Sequence, residues 1–89
     1  MTIRTRYEIA NTIAKLISFA SDLRTALDVQ AKRVVVSLFS EGADQKWSCV
    51  GRVNVDVDGK AVVDGMTIPW DPRWTEALSD AGVDVVFAP

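Results

Sequence analysis

The chain has no histidine. That removes the commonest general base, the Ser-His-Asp arrangement and most zinc-ligand sets. It has a single cysteine, Cys49, so no disulfide can form within it, and a lone thiol leans towards a reducing compartment. No apolar run approaches the ~18 residues of a membrane span. Arg4 and Arg6 ahead of an apolar stretch faintly suggest a secretory leader, but Glu8, Asn11 and Lys15 interrupt it. The stretch is therefore read as part of the fold and the chain as cytoplasmic. Neither a Walker-type nor a dinucleotide-type glycine motif occurs, and no internal repeat or low-complexity linker is visible. These absences point away from an enzyme: no catalytic residue, no cofactor and no metal is expected.

What is present suits one globular domain spanning residues 1–89, with 48% hydrophobic and 25% charged residues. A chain of this size buries roughly 60–70% of its unfolded surface, enough for a core without staples. The net charge of −2 is unevenly spread. Residues 1–33 carry six basic groups and three acids; residues 34–89 carry four basic groups and nine acids. An acidic second half argues against direct nucleic-acid binding, because phosphate would be repelled there. Arg4, Arg6 and Lys15 are too few and too spread for a basic patch and read as a solvated helix face.

The largest apolar surface lies in Thr5 to Lys32, which reads as one long amphipathic helix. Thr5 and Glu8 have capping-box spacing, and Ile3 and Ile9 flank the box as a packing pair. Ile9, Ile13, Leu16, Ala20, Leu23 and Leu27 recur at steps of four and three, which stack on one helix face. Ile17 and Phe19 fall on the shoulders of that stripe. A helix of ~26 residues would be ~39 Å long, more than a small sheet is wide. It must bend or break near Ser21–Asp22, or project and pack on something else.

The rest reads as strands and one short helix. Val34 to Phe39 is β-branched and apolar on both faces, a sheet-interior strand. Ser40 to Lys46 is a loop. Trp47 to Val57 alternates, with Trp47, Cys49, Val53, Val55 and Val57 on one face, so Cys49 reads as a small buried hydrophobe. Gly51 interrupts that row and marks a bulge or a close backbone approach. Asp58-Gly59 predicts a two-residue hairpin turn that sets Val57 opposite Lys60, Val55 opposite Val62 and Val53 opposite Asp64. Asp64-Gly65 is a second turn or a bulge, and the piece from Met66 to Pro69 leaves the sheet or lies on its edge. Asp71-Pro72 starts a second helix, Trp74, Ala77, Leu78 and Ala81 give its buried stripe, and Gly82 ends it. Val83 to Phe87 is the last strand, expected beside the first.

The expected fold is α+β: a two-layer sandwich in the order α-β-β-β-α-β. The long N-terminal helix and the short second helix pack on one face of a mostly antiparallel sheet. Asp56, Asp58 and Asp64 lack the third ligand and the Glu of a calcium loop, and turn chemistry explains Asp58.

Two functions suit these features. The first is a non-enzymatic acidic module that binds another protein through Asp56, Asp58, Asp64, Trp70, Arg73 and Trp74. Trp and Arg are enriched in interface hot spots, and the acids would suit a basic, nucleic-acid-binding target. Size, acidity and the missing chemistry would suit a small stoichiometric inhibitor of the kind that phages and mobile elements carry, such as anti-CRISPR or immunity proteins, although no motif is shared with them. The alternative is a structural or assembly subunit that forms a homodimer through Ile9, Ile13, Leu16, Leu23 and Leu27 on the long helix.

Overall fold

A computed structural model describes the backbone of residues 3–89 and the side chains from residue 5 onward. The expected contact of Ile3 with Ile9, and the setting of Arg4, lie outside the described side chains. Two helices and a five-stranded, mostly antiparallel sheet build an α+β fold in the order α-β-β-β-β-α-β. The extra strand comes from the segment expected to continue the first helix.

That helix, α1 (Ile3–Ala20), ends well before Lys32. The Ser21 hydroxyl donates to the Ile17 carbonyl at 2.6 Å and accepts from the Leu23 N–H at 3.2 Å. One side chain thus caps a terminal carbonyl and turns the next residues away, as Ser does in competition with the helical ladder. Thr5 lies inside the first turn rather than at the helix start. β1 (Arg24–Val29) follows immediately. Its Thr25 and Leu27 are half-buried while Arg24, Ala26 and Asp28 are exposed, the alternation of a strand covered on one face.

Arg6, expected on a solvated face, is buried on the same stripe as Ala10, Ile13 and Ile17. Its Nε and Nη1 have no hydrogen-bond partner among the described residues. Position decides this: Arg6 precedes Ala10 by four residues and so shares its face.

β2 (Val34–Glu41), β3 (Trp47–Val55) and β4 (Ala61–Asp64) continue an antiparallel meander from β1. The β2–β3 register shifts between Leu38 and Phe39. Leu38 pairs with Gly51 and Phe39 with Cys49, leaving Val50 as the bulged residue. One extra residue reverses the faces beyond it. Val50, Val53 and Val55 point into the core, whereas Cys49 is exposed, not buried as expected. Gly51 also makes the expected close approach: a Cβ there would overlap Met66 Sδ and lie 3.3 Å from Met66 Cα.

The β3–β4 connection is longer than a two-residue turn. Asp56 N–H donates to the Lys60 carbonyl at 3.1 Å, and Gly59 N–H to the Asp56 carbonyl at 3.0 Å. Val53 therefore pairs with Val63 and Val55 with Ala61, not with Asp64 and Val62. A one-residue slip exchanges faces. The observed register buries Ala61 and Val63 and turns Asp64 outward beside Arg52.

α2 (Pro72–Asp80) starts where expected: Asp71 is the N-cap and accepts from the Arg73 N–H, with proline in the first turn. Gly82 takes the expected left-handed conformation, φ 82°. β5 (Val85–Phe87) pairs parallel with β4, not beside either of the first two strands, so the sheet order is β1-β2-β3-β4-β5. Ile13 and Ile17 of α1 and Leu78 of α2 join Val34, Val36, Leu38, Val53 and Val55 in one cluster. The strand members alternate along their strands, so both helices cover the same face.

Candidate interaction surfaces

The six residues expected to bind a partner fall in three places. Asp56 and Asp58 sit in the β3–β4 turn. Asp56 Oδ1 accepts from the backbone N–H groups of Asp58 and Lys60, each at 2.9 Å, so its carboxylate holds the turn together. Asp58 is exposed. Asp64 lies at the far end of β4 on the outer sheet face, 3.5 Å from Arg52 Nη2. That pair is about half-exposed, the kind worth little.

Trp70, Arg73 and Trp74 do come together, mostly for internal purposes. Trp74 is buried and Trp70 half-buried, their rings edge to face with centroids 5.0 Å apart. Trp70 Nε1 donates to Thr75 Oγ1 at 2.8 Å. The exposed Arg73 forks onto Asp71, with Nε and Nη2 at 3.0 and 2.7 Å from Oδ2. The Arg73 side-chain and backbone donors hold the Asp71 carboxyl below its ordinary range, and the carboxylate raises Arg73 in return. Phe87 completes this cluster, its ring centroid 5.7 Å from that of Trp70, and is 56% exposed. Only the parallel β4–β5 pairing brings Phe87 here, and nothing in the sequence marks it.

The residues expected to form a helical seam are used inside the chain. Ile13 is fully buried, and Ile9, Leu16, Leu23 and Leu27 pack against the same core. Leu23 and Leu27 do not lie on the helix at all.

The surface that sequence reasoning missed is the β1 side of the molecule. Among the described residues β1 has a neighbour strand on one side only, so its other edge presents backbone donors and acceptors that no strand of this sheet takes up. It runs six residues in unbroken register with β2, without proline or bulge. The opposite edge differs: β5 has three residues and is followed closely by Pro89, two common ways of blunting an edge. Between α1 and the open edge lies a mostly apolar cleft of about 360 Å³, lined by Ala14, Lys15, Phe19, Thr25 and Leu27 among others. Ser18 and Thr25 share a hydrogen bond of 3.2 Å that ties helix to strand there. Phe19 is 89% exposed. Its signal was its place one residue before the true helix end, where no further turn can cover it.

The outer face of the same strand carries Arg24, whose guanidinium lies 4.2 Å from the Trp47 ring centroid. Asp28 accepts from Gln30 Nε2 at 2.8 Å, and Gln30 Oε1 accepts from Arg33 Nε at 2.9 Å. Among the described residues no three His, Cys, Asp or Glu side chains are grouped to hold a metal ion, and no helix is long and apolar enough to cross a membrane. Comparison with protein-family models, with curated proteins and with solved structures finds no match.

Proposed function

We propose that the protein is a non-enzymatic binding module that takes up a strand of a partner chain along its β1 edge. The observation that carries this reading is the contrast between the two sheet edges. One is short and proline-flanked; the other is six residues long, unbulged and set beside an apolar cleft. Strand addition of this kind draws affinity from main-chain hydrogen bonds and specificity from pockets that receive alternate side chains. The cleft is positioned to receive them, and Phe19 gives it an aromatic rim. The inhibitor version of this reading has the partner's basic, nucleic-acid-binding groove also meet the exposed Asp58.

The test is capture from a lysate of the source cells on immobilised wild-type and Phe19→Ser chains. Retained chains are identified by mass spectrometry, and a further copy of this chain counts as a partner. Phe19 is so exposed that the substitution leaves the circular dichroism spectrum unchanged. A partner retained by the wild type and lost from Phe19→Ser is the expected result. Equal capture by both, or none by either, overturns the assignment of the surface.

A further inference from the structure

We infer that the strand taken up at the β1 edge is β1 of a second copy of this chain, paired antiparallel about a two-fold axis at Ala26. The inference rests on the reading of β1 as a binding edge. In a two-fold antiparallel pair, facing residues must lie on the same side of the sheet, so the axis passes through a residue and not between two. The charged residues of β1, Arg24 and Asp28, both lie on the outer face, four apart. Centring the pair on Ala26 sets Arg24 of each copy opposite Asp28 of the other, twice by symmetry. Thr25 then faces Leu27 on the inner side, and the two small Ala26 side chains meet at the axis.

Other centres lack this match. An axis at Leu27 faces Asp28 with Ala26. An axis at Arg24 or Asp28 sets like charges directly against each other, which is unfavourable. The charges therefore select one register, the use to which exposed charges are best suited. Both groups are free to take part. The contact of Arg24 with Trp47 uses none of its N–H donors, and only Oδ2 of Asp28 carries a described hydrogen bond. The pairing would join two five-stranded sheets into one and bring both clefts, with Phe19, to the junction.

The experiment is light scattering on the full chain from about 1 µM to about 1 mM, the span over which a weak to moderate dimer becomes populated. The expected mass rises from that of the 9.7 kDa chain to twice that value. Arg24→Asp replaces both attractive pairs with repulsive ones and should raise the dissociation constant about tenfold. Arg24→Asp combined with Asp28→Arg should restore it to within about twofold of wild type. In a Cys49→Ser background, Ala26→Cys should give a covalent dimer with oxidised glutathione, and Asp28→Cys, which faces Arg24, should not.

A chain that stays monomeric throughout overturns the inference. So does a dimer that ignores Arg24→Asp or that cross-links equally at both positions. A monomer that still captures a different protein in a Phe19-dependent manner ends self-pairing alone. A monomer whose Phe19→Ser variant captures the same proteins as wild type ends both readings.

Discussion

Replacing Asp56 with alanine tests whether the β3–β4 turn is held together by its own acidic side chain. Asp56 Oδ1 receives two backbone N–H groups, from Asp58 and Lys60, both at 2.9 Å. In an exposed turn, where water competes for the same groups, each such bond contributes about 0.5–1 kcal/mol net. Asp58 and Lys60 are exposed, so water takes up the freed donors and no buried-donor penalty is added. The loss should be about 1–2 kcal/mol. At about 4–8 °C per kcal/mol for a domain of this size, the midpoint should fall by roughly 5–15 °C. Asp56→Asn keeps an oxygen acceptor and should lose about half as much. Asp58→Ala removes an exposed carboxylate with no described side-chain bond and should stay within about 0.5 kcal/mol of wild type. Urea unfolding followed by far-UV circular dichroism measures all three. If Asp56→Ala and Asp58→Ala lose the same amount, the turn does not depend on the carboxylate and the reasoning fails.

Two other expectations concern single groups. The Asp71 carboxyl is held below the ordinary aspartate value of 3.8, first by the Arg73 side chain and then by the Arg73 N–H. A depressed folded-state value means that its contribution is present above the unfolded value and lost as pH falls through the folded one. Asp71→Asn should therefore flatten the acid limb of the stability curve, and an NMR titration midpoint at or above 3.8 would refute the assignment. Cys49 is exposed on the outer face, so a thiol reagent should label the native chain within about tenfold of the unfolded rate; a protected thiol would contradict the bulge at Val50.

The local chemistry of α2 was legible because each signal is a single residue with one conformational use: Asp71 as cap, Pro72 inside the start, Gly82 after the end. The helix boundary was not, for a reason of arithmetic. Leu23 and Leu27 are four apart, a step that suits a helix stripe and one face of a strand equally. Only Ser21, turning back onto Ile17, breaks the tie. The strand faces failed at Val50 and the hairpin register at Asp56, each by one residue, and each shift exchanges inside for outside. The candidate surface was hidden more deeply. Which strand ends the sheet depends on β5 choosing β4, a long-range pairing with no local signature.

The strands stand side by side in the order in which they occur along the chain. From Arg24 to Asp64 each pairing closes a short connection, the cheap kind in entropy. β5 alone reaches its place by way of α2, and it is three residues long with Val86 and Phe87 half in water. The molecule is thus a locally zipped ribbon finished by a light clasp. Amide exchange should find that clasp opening first, well before the ribbon itself lets go.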